Sequence, residues 1–235
     1  MAKLTALQVF NAVARNCGES TVAGLTALTG LQLLIWDKII EAMQDICTDE
    51  NTRWSFLEKA GVIPMVTGNY QYQISALTTG SDMMVEDMKS MRSADYGNNI
   101  PYLTNQEWDA KYPEGITSAR TGYPTEYTKF AGYFVFNNQA TATQNGKNID
   151  FRYWKLPSYY SESSPSGTAD IPEPFDRTVL VALASLKVLT YLGNEEASVY
   201  KVQVFGNGQD IEGSLDKMKR VFSSPVIKPR MTYQF

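Results

Sequence analysis

The chain has 235 residues, 43% of them apolar and 20% charged, with a formal net charge of −4, a composition that supports one substantial core or two smaller ones and not a disordered chain. Histidine is absent, which removes His-based acid–base catalysis, Ser–His and Cys–His nucleophile pairs, and the commonest zinc and iron ligand. No apolar run reaches the roughly 18–20 residues of a membrane span, and Met1-Ala2-Lys3-Leu4-Thr5 lacks the apolar stretch of a signal peptide, so a soluble protein made in the cytosol is expected.

Leu7, Phe10, Ala14 and Cys17 recur at helical spacing behind a possible Thr5 N-cap, and Gly18 is a natural stop. This spacing predicts a first helix over 5–17. A second helix starts near Thr29, where Leu31, Leu34, Ile35, Ile39, Ala42, Met43 and Ile46 form a stripe of period 3.6. Leu33, Trp36, Ile40 and Cys47 widen that stripe to roughly two-thirds of the circumference. One neighbouring helix cannot cover so much apolar surface, so the helix is central in its own domain or meets another subunit. Trp36 and Ile40, off the main stripe, are the candidate subunit-contact residues. Cys17 and Cys47 both fall on apolar helical faces and read as buried free thiols.

From Trp54 to Tyr160 aromatic and β-branched residues stand in short runs between Gly, Asn and Pro, the pattern of strands. The runs 61–66 and 70–74 flank Thr67-Gly68-Asn69, a link suited to a hairpin. Met83 to Met91 and Pro124 to Phe136 are further strand candidates, and Ile149 to Trp154 alternates cleanly. Between the last two, Gln144-Asn145-Gly146-Lys147-Asn148 holds the strongest short hairpin signal in the chain. Thr104 to Tyr112 reads as a short helix. Met83, Met84, Met88 and Met91 read as core filling and not as a metal site.

Ser161 to Pro174, rich in Ser, Pro and Gly, is expected to be a linker or exposed loop. Thr178 to Leu192 is almost uniformly apolar, with Lys187 its only charge, and predicts a buried helix ended by Gly193. Asn194 caps the next helix, with Glu195 and Glu196 in its first turn. Gly206-Asn207-Gly208 breaks it, and Asp210 is a candidate cap for another helix ending near Phe222. Pro225 and Pro229 make the remaining tail extended. The expected fold class is α+β: a bundle formed by N- and C-terminal helices with an inserted lobe of antiparallel strands. The expected divisions are 1–53 (bundle helices), 54–160 (β-rich lobe), 161–174 (linker), 175–222 (bundle helices) and 223–235 (tail).

No Asp or Glu occurs from Lys217 to Phe235, and Lys217, Lys219, Arg220, Lys228 and Arg230 give that segment +5 where the whole chain carries −4, so the rest carries −9. A basic end on an acidic body suits an acidic docking partner or nucleic acid. Val226, Ile227, Met231, Tyr233 and Phe235 are apolar groups in the same tail, so the tail reads as a docking segment, with Lys228 and Arg230 pairing with acids on its partner.

The arrangement resembles the head-to-tail adaptor family of bacteriophages, ring proteins below the portal of short-tailed phages. The similarity rests on signatures in order along nearly the whole chain: Thr5 through Gly18-Glu19; the long helix ending in Asn51-Thr52-Arg53-Trp54-Ser55-Phe56-Leu57; Thr67-Gly68-Asn69-Tyr70-Gln71-Tyr72; Gly122-Tyr123-Pro124-Thr125-Glu126-Tyr127; Ile149 to Pro157; and the apolar segment Pro174 to Leu192. The polar Ser161 to Thr168 stretch and the Gly206-Asn207-Gly208 break depart from the family pattern. The resemblance implies a non-enzymatic structural virion protein that forms a homo-oligomeric ring, of twelve subunits, between the portal protein and a tail tube or nozzle protein. Double-stranded DNA would pass through the lumen without specific binding, and the C-terminal segment would lie along the portal. A subunit that is monomeric until it meets the portal is expected.

Two rivals remain. A phage tail enzyme that degrades the cell wall needs paired carboxylates, and Glu86 with Asp87 or Glu107 with Asp109 are candidates. Adjacent residues on a strand point to opposite faces, which disfavours the first pair. A DNA-binding virion protein needs a broad positive surface, which an acidic body does not supply. No phosphate-cradling glycine loop is present, and no cofactor or metal is expected.

Overall fold

In a computed structural model the described residues are 2–49, 52–77, 83–93, 98–115 and 120–224. The fold is α+β, with helices from both ends of the chain flanking a central region of antiparallel strands. It divides into two compact units, Met1–Phe56 with Pro157–Phe235, and Leu57–Leu156.

The first unit is helical. Helix α1 (Ala6–Asn16) opens on a capping box in which the Thr5 hydroxyl accepts from Gln8 N–H and the Gln8 side chain accepts from Thr5 N–H. Gly18, at φ 73°, closes it. Helix α2 (Leu31–Cys47) packs against α1 and against α5 (Ala182–Tyr191). Two neighbours therefore cover the wide apolar circumference that one could not, and Trp36 is only 6% exposed. A π-helical turn, Asp176–Val181, leads into α5. Helices α6 (Ala197–Phe205) and α7 (Ser214–Phe222) follow, and the two-residue strands β1 (Arg53–Trp54) and β8 (Ser223–Ser224) pair antiparallel.

Ser161 to Pro174 is ordered against the start of the chain. Gly167 and Pro165 carbonyls accept from Ala6 and Leu7 N–H, the Tyr160 hydroxyl donates to Leu4 O, and Ala169 and Ile171 are buried. Asp210 does not cap α7. Gly213 takes that position, and the Asn207 side chain collects the N–H groups of Gln209, Asp210 and Ile211 instead. The α6–α7 corner is so tight that a Cβ on Gly206 would stand 2.2 Å from Ile211 O and one on Gly213 would stand 2.3 Å from Val204 O. Glycine is required at both positions.

The second unit holds two three-stranded antiparallel sheets, β2-β7-β4 and β3-β6-β5. The first comprises β2 (Glu58–Pro64), β7 (Asn148–Lys155) and β4 (Met83–Ser93), and the second β3 (Gln71–Gln73), β6 (Tyr133–Phe136) and β5 (Tyr127–Phe130). The single turn α3 (Ile74–Leu77) and helix α4 (Asn105–Lys111) complete the unit. Ile149, Phe151 and Tyr153 of β7 alternate inward, as their sequence pattern predicts, and join Ile63, Phe134 and Phe136 in one aromatic-rich core. Gly61 lies under the Phe151 ring, which an added Cβ would meet at 2.2 Å.

Both expected hairpins are corrected. The runs around Thr67-Gly68-Asn69 do not pair with each other: β2 pairs with β7 over seven residues and β3 pairs with β6. The longer ladder buries more backbone than a three-residue hairpin would. Asn145-Gly146 likewise joins strands of different sheets, in a turn with Asn145 at φ −59°, ψ 128° and Gly146 at φ 78°, a type II geometry and not the type I′ of a hairpin. The tight hairpin is β5–β6, through Ala131 (φ 48°) and Gly132 (φ 82°). Alanine there is strained and is a weak hairpin signal. Ala131→Asn is therefore expected to raise stability by about 0.5–1 kcal/mol, measured by urea unfolding; an equal or lower midpoint would show that the turn tolerates alanine without strain.

One ionic network joins α2 to α5. Lys187 Nζ lies 2.7 Å from both Glu41 and Asp45, and Lys38 lies 2.6 Å from Glu41. Burial lowers the Lys187 pKa, but the bonds to Asp45 and Glu41 outweigh it and the net shift is upward. The bond from Lys187, then that from Lys38, holds the Glu41 carboxyl below the usual range. A depressed carboxylate stabilises the fold above its unfolded pKa, about 4.3, and loses that contribution as pH falls through the lower folded value. Glu41→Gln should be less stable than the parent at pH 7, by under about 1 kcal/mol for so exposed a group. Thermal unfolding followed from pH 7 to below pH 4 should show the gap closing; a gap that persists in acid would assign the loss to packing.

Candidate functional site

Helix α6 leaves apolar surface uncovered. Val199, Val202 and Phe205 recur every three residues, which keeps them within about 120° of one another around the helix, and all three are exposed, Val199 at 64%. Val204 is the buried residue of α6. Just before this helix Tyr191 is 69% exposed and Leu192 is also exposed. A helix that packs one side on its own unit normally carries charge on the other. Here the exposed side carries Val199, Val202 and Phe205 among Ser198, Lys201 and Gln203, more apolar surface than a helix facing only water needs. Sequence reasoning passed over α6 because its apolar residues lie all around it and give no one-sided stripe.

Trp36 is buried within the helical unit and Ile40 is half-buried, whereas Leu33 is the exposed large apolar residue of α2. The tail residues Val226, Ile227, Lys228, Arg230, Met231, Tyr233 and Phe235 lie outside the described residues. Of the basic residues ahead of them, Lys219 pairs with Asp49 at 2.7 Å and Arg220 with Glu212 at 2.8 Å. Part of the positive charge at this end is thus balanced within the unit.

Each unit carries a cleft. In the helical unit a cavity of about 540 Å³ is lined by Leu4, Gln8, Arg15, Thr21, Arg177 and Val181, among others. Arg15 and Arg177 are exposed and neither has an acidic partner among the described residues. In the β-rich unit a cavity of about 240 Å³ lies among Tyr70, Asn105, Trp108, Asp109, Thr128 and Phe130, with Gln71, Gly115 and Val135 completing its wall. Helix α4 positions three of these groups, and its own capping box, Thr104 with Glu107, fixes where it starts.

That capping box also settles what Glu107 does. Its carboxylate accepts from Thr104 N–H and from the Thr104 hydroxyl, both at 2.8 Å, which holds its pKa below the usual range. Asp109, on the same helix, lines the cleft without Glu107. Glu86 and Asp87 lie on β4, and their side chains fall outside those described. Glu195 and Glu196 are exposed just before α6, and Asn194 accepts from Glu196 N–H there. Among the described residues no group of three or more His, Cys, Asp or Glu is arranged to hold a metal ion, and no helix is long and apolar enough to cross a membrane.

Both cysteines are free thiols, Cys47 buried and Cys17 half-buried, and burial pushes the Cys17 thiol up to about 11. It is therefore a thiol and not a reactive thiolate near neutrality. Alkylation of Cys17 by iodoacetamide at pH 8 should be much slower in the folded chain than in urea, read by peptide mass; equal rates would show that the side chain is open and ordinary. No protein-family model matches the chain, and no curated protein matches it.

Proposed function

We propose that this chain is a structural virion protein, an adaptor that joins the head of a tailed bacteriophage to its tail. Copies of it form a ring on the portal protein, meet a tail tube or nozzle protein on the other side, and leave a conduit for double-stranded DNA. The order of short motifs along the chain raises the idea, and the observation that carries it is the exposed apolar stripe Val199, Val202 and Phe205 on α6. A subunit that works alone in water has no use for such a stripe, whereas an assembling subunit buries it.

The charge agrees with a conduit. An acidic body repels DNA phosphates and lets the duplex slide, where a basic lining would hold it. The glycosidase reading weakens, because Glu107 is engaged in capping α4 and leaves Asp109 without it as a second carboxylate. The basic, apolar tail from 225 onward supplies the portal contact in this reading, with Lys228 and Arg230 orienting it against acids.

Light scattering tests the assembly. The purified subunit is expected to be monomeric alone and to become multi-copy on heads that contain portal but lack tails. Val202→Asp, on an exposed position, should leave the melting temperature within a few degrees of the parent and abolish uptake of multiple copies. Ending the chain after Ser224 keeps β8 paired with β1 and so should leave the subunit folded but unable to attach. Heads that take up no protein would reject the adaptor reading, and unchanged attachment of the shortened chain would reject the docking role of the tail.

A further inference from the structure

The cleft of the β-rich unit has a chemistry that the adaptor reading does not use. Its apolar part is aromatic. Trp108 is 7% exposed and backed by Tyr112, with ring centroids 4.7 Å apart. Phe130, at the tip of the β5–β6 hairpin, is 66% exposed and forms an open side wall, and Tyr70 lies between. The polar part consists of planar or hydroxyl groups. Asn105, Asp109, Gln71 and Thr128 also line the cleft, with no Lys or Arg among the described lining residues.

Several of these polar groups lack partners. The Thr128 hydroxyl holds one end of the Asn105 amide at 3.0 Å, and the other end has no hydrogen bond among the described residues. Neither the Asp109 carboxylate nor the Gln71 amide has a side-chain partner among the described residues. The cleft thus sets solvent-facing donors and acceptors beside aromatic surface, which suits a ligand that brings both.

We infer that the cleft binds a single neutral sugar ring, as a free pyranoside or as one residue of a longer glycan. A pyranose has an apolar C–H face that lies against an aromatic ring and hydroxyls around its edge that donate and accept at once. Phe130, Tyr70 and Trp108 supply the surface for the face. The Asp109 carboxylate accepts two hydroxyl protons, the amides of Asn105 and Gln71 each offer a donor and an acceptor, and the Trp108 N–H donates to a ring or hydroxyl oxygen. At about 240 Å³ the space falls below the roughly 300 Å³ where sites for drug-sized ligands begin, which suits one ring. The unbalanced carboxylate turns anions away, so nucleotides and sugar phosphates are poor ligands. A cation over the aromatic rings would use Asp109 alone and make no bond to the amides. The inference is independent of the adaptor reading, since it concerns another unit and another surface.

The test is a titration of the full chain with the methyl pyranosides of glucose, galactose, N-acetylglucosamine and rhamnose, and with tetramethylammonium, by saturation-transfer NMR and calorimetry. At least one pyranoside is expected to bind at millimolar concentration. Phe130→Ala and Asp109→Asn, both at exposed positions, should each weaken it by about tenfold or more. Arg177→Ala, in the cleft of the helical unit, should leave it unchanged. No binding by any of the four pyranosides overturns the inference. So does binding that survives both cleft substitutions, which would place the sugar elsewhere, and so does tetramethylammonium binding in preference to every pyranoside, which would make the cleft a cation cage. Each of these results leaves the portal-binding experiment standing.

Discussion

The helical unit exists only if two chain segments separated by about a hundred residues are brought together. The contact that closes this gap is the seating of the N-terminus on the segment that returns from the strands. Leu4 N–H donates to the buried Asp176 carboxylate at 2.6 Å, Tyr160 donates to Leu4 O, and Lys3 Nζ donates to the carbonyls of Ala169 and Asp170 at 3.0 Å. Asp176 is 1% exposed, so this bond is made out of reach of water, where losing it leaves a buried polar group unpaired. Burial, and then the Asp176 charge, drives the Tyr160 hydroxyl pKa well above the usual tyrosine value, so it remains a donor at any ordinary pH. In the same unit α5 lies against α2 with the Lys187 network, the Trp54 indole donates to Ile46 O at 2.6 Å, and β1 pairs with β8.

The β-rich unit solves a different problem. Its two sheets have only three strands each, and β3 is three residues long, so each offers little surface of its own to bury. Its stability comes from sharing one core: Phe134 against Phe151 at 5.4 Å, Tyr72 against Phe136 at 5.7 Å and Phe151 against Tyr153 at 5.6 Å. Large rings bury much area with few rotatable bonds, which suits a small core. The same economy explains Gly61, whose missing side chain is the space Phe151 occupies. The aromatic residues left over, Phe130, Tyr70 and Trp108, line the cleft, so the residue type that builds the core also supplies the ligand surface.

The proposed assembly and the proposed sugar binding are compatible because they use separate surfaces of separate units. The α6 stripe offers mainly apolar area, with Ser198 and Lys201 beside it, which suits a broad protein contact. The cleft offers the opposite balance, with little area and several solvent-facing polar groups, which suits a small polar ligand.

What the sequence alone determined was local. Thr5 and Thr104 announced two helix starts, glycines 18 and 193 announced two ends, and the alternation of Ile149, Phe151 and Tyr153 announced a strand with one buried face. Each of these signals acts within a few residues, through hydrogen bonds and side-chain direction that any context preserves. Strand partnership was decided only by the tertiary structure. Gly68 and Asn145-Gly146 are good turn residues, but a turn serves equally to fold a strand back or to send it to another sheet, and the seven-residue β2–β7 ladder with its shared aromatic core settled which. The same holds for exposure. Nothing local separates Val202 from Val204, yet one is exposed and the other buried, because only the position of α5 beside α6 determines which side of that helix is covered. The cleft is the furthest from sequence, since Tyr70, Trp108 and Phe130 meet through long-range packing alone.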